Sequence, residues 1–176
     1  MATRVEPRLT TGDQLTDPTR ATDAITAAAI PHRVVRTQRA QSAEESAELQ
    51  GIELGALLRT IVVRRGEDDY VFVLVPGGRR IDWGKLRTHL GIRRISLPDK
   101  DEALTATGYE RGAITPFGSS HAWPVIADAA VGAAGDPVAI GGGAHGVNLH
   151  VATEDLLKAT NATVADVTEP EPEPDA

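Results

Sequence analysis

The sequence predicts a single compact α+β domain in which helices flank a mixed, largely antiparallel sheet or barrel. The chain has 176 residues and 41% hydrophobic residues, enough for one domain with an ordinary core. Two β-rich runs, at 59–65 and 70–75, are joined by a short polar segment and therefore indicate an antiparallel hairpin. Strand and helix patterns alternate irregularly along the chain, which favours α+β over a repeated strand–helix order.

The folded domain is expected to occupy residues 17–167. Residues 1–16 lack hydrophobic periodicity, so we expect a flexible N-terminal arm there. Residues 168–176 are acidic and interrupted by proline, a composition that predicts a disordered tail.

The first elements follow from local helix signals. Asp17 and Pro18 are residue types preferred at the N-cap and first position of a helix, which precedes a short predicted strand at 32–36. Ser42 and Glu45 have the spacing of a capping box, which predicts that a second helix begins there.

The elements after the hairpin are predicted in the same way. Asp82 is the expected N-cap of a third helix that ends at Gly91, and a fourth helix follows Pro98 and ends at Gly108. Thr153 is the expected N-cap of the last helix. The remaining β-rich runs predict strands at 93–97, 123–127, 137–140, 147–151 and 164–167.

Cysteine is absent, which excludes disulfides, thiolate metal ligands and a cysteine nucleophile. The sequence shows no signal-peptide pattern and no apolar stretch long enough to span a bilayer, so we expect a cytoplasmic protein without membrane contact. His145 and His150 are the only close histidine pair and have no carboxylate in ligand register. We therefore expect neither a metal site nor another cofactor.

Charge is unevenly distributed along a chain whose net charge is −7. Residues 31–100 contain 13 basic and 9 acidic residues, whereas residues 101–176 contain 2 basic and 12 acidic residues. A basic middle permits local contacts with phosphate groups, while the acidic remainder weakens non-specific binding to nucleic acid. Charge alone favours the simpler interpretation, in which these arginines form a solvated face.

Two glycine-rich segments, 107–118 and 141–146, are the most informative feature of the sequence. The second matches the dinucleotide-binding pattern Gly-x-Gly-x-x-Gly, but that motif requires a helix where the strand pattern 147–151 follows. We expect the two segments to wall a pocket with backbone N–H groups, with His145 lining it and His150 on the strand surface. Such a pocket suits an activated ester that needs positioning more than a nucleophile.

Two further features allow both a catalytic and a non-catalytic interpretation. Ser119, Ser120 and His121 are adjacent but lack the Gly-x-Ser-x-Gly elbow, so we interpret them as a polar loop. Arg59 begins an apolar strand, where it could extend into solvent or hold a phosphate or carboxylate through its planar guanidinium. The sequence leaves both roles of Arg59 open.

A series of short motifs occurs in one order between about residues 20 and 167. Its members are Ser42–Ala47, Arg59-Thr60, Ile81-Asp82-Trp83-x-Lys85-Leu86, Thr107-Gly108-Tyr109, Gly112-x-x-x-Pro116-Phe117-Gly118, Ala127-Asp128, Gly142-Gly143-x-x-Gly146 and Glu154-Asp155-Leu156-Leu157. The ordered set resembles the aminoacyl-tRNA editing family, which includes the YbaK-like Cys-tRNA(Pro) deacylases and the editing domain of prolyl-tRNA synthetase.

The resemblance implies a trans-acting hydrolase of mischarged tRNA with Cys- or Ala-tRNA(Pro)-like substrates. It implies binding of the aminoacylated 3′ end and no cofactor, and a synthetase could be a further partner. The implied catalytic residues are Arg59, Gly112 and Gly118. The implied substrate-binding residues are Thr60, Pro116, Phe117, Asp128, Gly142, Gly143, His145 and Gly146.

One position departs from the family pattern. Where the family typically carries lysine in a Lys-Thr pair, this chain has Arg59-Thr60. Arginine keeps the charge but cannot accept a proton. Deacylase activity is expected if the side chain acts by electrostatic positioning. A non-catalytic module that binds tRNA ends or a nucleotide is the alternative, and a hydrolase of another aminoacyl or small ester is a third.

Overall fold

The structure is a computed structural model that describes residues 18–172. The predicted arm at 1–16, the predicted N-cap Asp17 and the end of the predicted tail at 173–176 lie outside the described residues. The helices of the described part are α1 (Arg20–Ala27), α2 (Ala43–Gln50), α3 (Trp83–Leu90), α4 (Lys100–Thr107) and α5 (Thr153–Ala159). Its strands are β1 (Arg33–Arg36), β2 (Leu58–Gly66), β3 (Asp69–Pro76), β4 (Arg79–Ile81), β5 (Val125–Asp128), β6 (Val138–Gly141), β7 (Val147–Val151), β8 (Thr163–Ala165) and β9 (Thr168–Pro170).

The strands form three sheets, with orders β1-β7-β6, β2-β3-β5-β8 and β4-β9. All pairs are antiparallel except β3–β5 and β5–β8, which are parallel. The predicted hairpin is β2–β3, and an isolated bridge between Leu57 and Ala139 connects its first strand to the neighbouring sheet. This arrangement confirms the α+β class with a mixed, largely antiparallel sheet.

The central strand β3 is covered on both faces, as its nearly continuous apolar sequence requires. Val73 and its neighbours on one face pack in a cluster with Leu86 of α3. On the other face, Phe72 and Leu74 pack in the largest cluster, together with Ile25 of α1. Burial on both sides fixes the register of β2 and β3, and so fixes the position of residues 58–61 beside the cavity described below.

Several of the helix caps in the structure are the residues predicted from the sequence. Ser42 accepts from Glu45 N and Asp82 from Lys85 N, as predicted. Thr19, not the predicted Asp17-Pro18 pair, is the N-cap of α1, because its hydroxyl accepts from Thr22 N. None of the helices within residues 18–172 is long and apolar enough to cross a membrane.

The last helix also starts differently from the prediction. Ala152, not Thr153, is its N-cap, and it makes no side-chain cap bond. The Thr153 hydroxyl and backbone N–H instead donate to Oδ1 of Asp136, at 3.0 and 2.8 Å. A preceding loop therefore supplies the cap that the sequence assigned to Thr153.

Two predicted segments near the edges of the sheets are corrected. The predicted strand at 93–97 is reduced to one bridge between Ser96 and Arg64. The predicted disordered tail does not start at 168, since β9 pairs with β4. Thr168 is fully buried, and its hydroxyl accepts from Nε of Arg79 at 2.7 Å, so side-chain and backbone contacts together hold this segment.

Candidate functional site

A cavity of about 510 Å³ opens where four segments meet. The segments are the loop that leads into α2 at 37–43, the start of β2 at 57–61, the first glycine loop at 111–114 and the second glycine loop at 141–148. The β1-β7-β6 sheet and the β2-β3-β5-β8 sheet thus bring together residues that are more than 100 positions apart in the chain.

The two glycine loops meet at the cavity wall. Gly112 has φ +95°, and a Cβ built on it would lie 3.0 Å from Cε1 of His145. Gly146 has φ +79°, and a Cβ there would lie 2.4 Å from the carbonyl oxygen of Thr37. Thr37 N–H donates to the Gly146 carbonyl at 2.8 Å. Glycine is therefore required at position 146 by conformation and by space, and it is favoured at position 112 by conformation.

The cavity carries positive charge in an acidic protein. Arg39, Arg59 and Arg111 line it, and among residues 18–172 no aspartate or glutamate does. Two of these guanidinium groups are anchored to carbonyl oxygens: Nη2 of Arg59 donates to Arg79 at 2.6 Å, and Nη2 of Arg111 donates to Pro98 at 2.8 Å. A cleft lined by one sign of charge raises the local concentration of ligands of the opposite sign.

Several polar atoms beside the cavity lack partners. The buried hydroxyl of Thr60 makes no hydrogen bond within the described part of the chain. The backbone N–H groups of Gly112, His145 and Gly146 likewise have no acceptor among residues 18–172. Buried polar groups are almost always satisfied by protein, water or ligand, so the Thr60 hydroxyl is available to a bound molecule. The three N–H groups are further donors at the cavity wall.

Three predicted site residues after Gly112 lie outside the cavity. Phe117 belongs to the main core cluster, and its carbonyl accepts from the Tyr109 hydroxyl at 2.6 Å. Pro116 precedes it in the same turn, and neither lines the cavity. Gly118 has φ +72°, and a Cβ there would lie 2.6 Å from the carbonyl oxygen of Arg20. Phe117 and Gly118 thus pack the first glycine loop against α1.

Gly142 and Gly143 also lie behind the cavity wall. Gly142 N–H donates to Val147 O at 2.8 Å and closes the second glycine loop. A Cβ at Gly143 would lie 3.1 Å from Cβ of Ala21. Close packing against neighbouring backbone and α1 explains why both positions are glycine.

Asp128, another predicted binding residue, is 1% exposed and remote from the cavity lining. Its oxygens accept from Val167 N at 3.0 Å and Ala130 N at 2.9 Å, and one lies 3.8 Å from Nε of Arg79. Since the Arg79 carbonyl anchors Arg59, Asp128 is linked to the cavity only indirectly.

The structure confirms the predicted position of one histidine and corrects that of another. His145 lines the cavity as expected. The prediction that His150 lies on the strand surface is wrong, because His150 is 4% exposed and its Nε2 lies 2.8 Å from Oε1 of Gln50. Its face of β7 is covered by α2, which the strand pattern could not indicate. In the polar loop at Ser119–His121, Oγ of Ser120 lies 3.4 Å from Nδ1 of His121, and both atoms also lie 3.3 Å from the Ala106 carbonyl oxygen.

Sequence reasoning missed the loop before α2 and two of the three arginines. Arg39 and Arg111 are not among the predicted site residues, although the basic surplus of residues 31–100 and the position of Arg111 inside the first glycine loop are signals in the sequence. Arg59, Thr60, Gly112, His145 and Gly146 are the predicted site residues that the structure brings together.

The fold and the cavity together define an α+β protein with a site suited to an anionic ligand. The chain belongs to the aminoacyl-tRNA editing domain family, whose match covers residues 37–159. It is 29% identical over 128 residues to EbsC of Enterococcus faecalis, which is named as a candidate Cys-tRNA(Pro)/Cys-tRNA(Cys) deacylase; the match covers 72% of this chain and 77% of that protein.

Other relatives agree on the family. A proline–tRNA ligase of Thermosipho melanesiensis is 30% identical over 95 residues, which are 54% of this chain but only 16% of the ligase. A crystal structure described as a candidate trans-editing enzyme for prolyl-tRNA synthetase superimposes with a TM-score of 0.75 at 25% identity, covering 85% of this chain and 95% of that one. The match with the ligase is thus limited to one part of a much longer protein.

Proposed function

We propose that this protein is a trans-acting deacylase that hydrolyses the ester of mischarged aminoacyl-tRNA, with Cys- and Ala-tRNA(Pro) as the first substrates to test. A second hydrolytic site is needed in translation because a binding pocket distinguishes amino acids that differ by one methylene by only about 1–3 kcal/mol. Family membership and the likeness to a candidate deacylase support this reaction class.

The composition of the cavity carries the proposal. Three arginines and no carboxylate from the described residues line a space beside unpaired backbone N–H groups. The terminal nucleotides of tRNA present phosphates to such arginines, and the ester presents a carbonyl oxygen to such N–H groups. Guanidinium groups bind phosphate with two parallel hydrogen bonds, so the arginines also orient the strand.

Catalysis in this cavity would depend on positioning and electrostatics. The aminoacyl ester is already activated, so a water can attack its carbonyl carbon once both are held in place. Gly112 N–H would stabilise the oxyanion that develops on the carbonyl oxygen, and Arg59 would hold a phosphate or the same oxygen. The bond between the carbonyl carbon and the ribose oxygen would then break, and the proton of the water would pass to the departing ribose oxygen through the neighbouring ribose hydroxyl or solvent, because a guanidinium cannot accept it.

A panel of mischarged tRNAs tests the proposal. Purified protein should release amino acid from at least one of them, and Arg59→Ala should lower the rate at least tenfold, about 1.4 kcal/mol in activation free energy. Arg93→Ala is the matched control, because Arg93 is exposed and does not line the cavity. Wild-type release equal to that in buffer on the whole panel would contradict the enzyme proposal.

A non-catalytic binding module is the second candidate, and the arginine at position 59 favours it. If the reaction needs a proton acceptor there, arginine would retain binding but not turnover. Binding of an adenosine analogue whose ester is replaced by an amide, together with no cleavage of any aminoacyl-tRNA, would select this candidate. Recovery of cleavage in Arg59→Lys would identify proton transfer as the missing function.

A further inference from the structure

A row of polar side chains connects β7 through α2 to the cavity. His150 of β7 and Gln50 of α2 are 4% and 8% exposed, and Nε2 of His150 lies 2.8 Å from Oε1 of Gln50. Nε2 of Gln50 donates to Oγ of Ser46 at 2.9 Å, and Ser46 lines the cavity. Burial of an imidazole and an amide is unfavourable unless their polar atoms are paired, so the row persists only as a connected unit.

Arg33 fixes the direction of the hydrogen bonds in this row. The register of β1 and β7 places Arg33 opposite His150, and Nη2 of Arg33 lies 3.4 Å from Nδ1 of the imidazole. A guanidinium group only donates, so Nδ1 accepts and the imidazole proton is on Nε2. Burial, and then the charge of Arg33, lower the pKa of His150 and keep the ring neutral.

The orientation of Gln50 and Ser46 follows from that proton. Nε2–H of His150 donates to the amide oxygen of Gln50, so the amide NH₂ faces Ser46 and donates to its Oγ. The Ser46 hydroxyl oxygen therefore accepts from the Gln50 amide, and the hydroxyl hydrogen has no acceptor within residues 18–172. That hydrogen is left for an acceptor in the cavity.

We propose that Ser46 is a substrate-binding residue whose hydroxyl donates a hydrogen bond to an oxygen of the bound aminoacyl-nucleotide, with Gln50 and His150 as its positioning residues. The inference rests on the proposed function, because it assigns a contact in the same cavity. The Ser46 hydroxyl is a hydrogen-bond donor of fixed direction, in addition to the arginines and the backbone N–H groups that line the cavity.

Binding of the amide-linked alanyl-adenosine analogue measures this contact directly. Ser46→Ala should weaken binding about three- to tenfold, the effect of one hydrogen bond, while Ser46→Thr, which keeps the hydroxyl, should bind as the wild type does. In the deacylation assay the same variants should differ in KM more than in kcat. A role limited to stability would change the unfolding midpoint of Ser46→Ala and leave its affinity unchanged.

Gln50→Glu tests the direction of the hydrogen bonds between His150, Gln50 and Ser46. A carboxylate accepts from both neighbours, so it should turn the Ser46 hydrogen away from the cavity while retaining the size of the side chain. It should weaken analogue binding in the wild type but less in the Ser46→Ala background, where no hydroxyl remains to be turned. Any effect of the new negative charge is common to both backgrounds and cancels in the double-mutant cycle.

The outcomes separate this inference from the proposed function. Cleavage of a mischarged tRNA with unchanged KM and analogue affinity in Ser46→Ala would overturn the inference and leave the deacylase intact. Analogue binding that depends on Ser46, without any cleavage, would support the inference and reject the enzyme. Equal effects of Gln50→Glu in the two backgrounds would also overturn it. A wild-type protein that neither cleaves nor binds would reject both.

Discussion

Gly112 and the imidazole of His145 pack against each other where the two glycine loops meet. A methyl group on Gly112 would lie 3.0 Å from Cε1 of His145, and Gly112 has φ +95°. A side chain at position 112 would therefore have to adopt a strained left-handed backbone conformation and shift the His145 ring. His145, which lies in the loop between β6 and β7, is part of the same wall.

Gly112→Ala should lower kcat/KM for deacylation at least tenfold. It should also cost about 1–2 kcal/mol of unfolding free energy, because an alanine is strained at positive φ. Gly91→Ala is the matched control: Gly91 has φ +71°, with nothing within 4 Å of an added Cβ. That variant should lose similar stability and keep full activity, and equal losses of activity in both would contradict a specific role of Gly112.

Arg39→Ala should reduce the salt dependence of tRNA binding. Each phosphate contact on a single strand contributes about 0.7 to the slope of log affinity against log salt concentration, so loss of one contact should lower the slope by about that amount. Arg39 is exposed and lines the cavity. The slope measured for Arg93→Ala should equal that of the wild type; a parallel decrease there would show non-specific charge effects.

Asp128→Asn should affect stability more than substrate binding. The carboxylate is 1% exposed and accepts from two backbone N–H groups, and an asparagine would leave one acceptor and add an unpaired donor. The expected loss is about 1–3 kcal/mol of unfolding free energy in denaturant titration. A large rise in KM with unchanged stability would instead place Asp128 at the substrate.

The two tyrosines should resist ionisation in the folded protein. Burial first, and then the hydrogen bond to Glu102, raise the pKa of Tyr70 to about 12, and burial raises the pKa of Tyr109. The unfolded chain releases these protons near pH 10, so stability should fall as pH rises above 10. Phenolate absorbance should therefore appear together with unfolding. A native-state midpoint near pH 10 would contradict the burial of both rings.

His150 should make the folded protein more stable at neutral than at acidic pH. Its pKa in the folded state is lowered below 6.5, so the unfolded chain binds more protons as pH falls below that value. The unfolding free energy should decrease there by up to about 1.4 kcal/mol per pH unit. His150→Gln should flatten this decrease, whereas the same change at the exposed His89 should not.

Local signals predicted most elements correctly. The hairpin of β2 and β3, the N-caps Ser42 and Asp82 and the helix ends at Gly91 and Gly108 all depend on residues within one or two turns of chain. The parallel pairing of β5 with β3 and the pairing of β9 with β4 depend on partners far along the sequence. Short polar strands such as β4 and β9 have little hydrophobic pattern of their own.

The site was predictable to a similar extent. The glycine pattern identified Gly112, Gly146 and His145, because close approach of two backbones leaves a compositional mark. The same pattern could not separate glycines that border the cavity from Gly118, which packs against α1. The Ser42–Ala47 motif and the basic surplus of residues 31–100 include Ser46 and Arg39 without distinguishing them from their neighbours. The place of Ser46 in the cavity is set by how α2 packs on β7.

The pairing of β1 with β7 also determines when the cavity can form during synthesis. Arg33–Arg36 pair with Val147–Val151, so the sheet that supplies the second glycine loop cannot close until residues 147–151 have left the ribosome. Such long-range closure is slow compared with the formation of local hairpins. The cavity wall therefore cannot be complete in a nascent chain that ends before Val151.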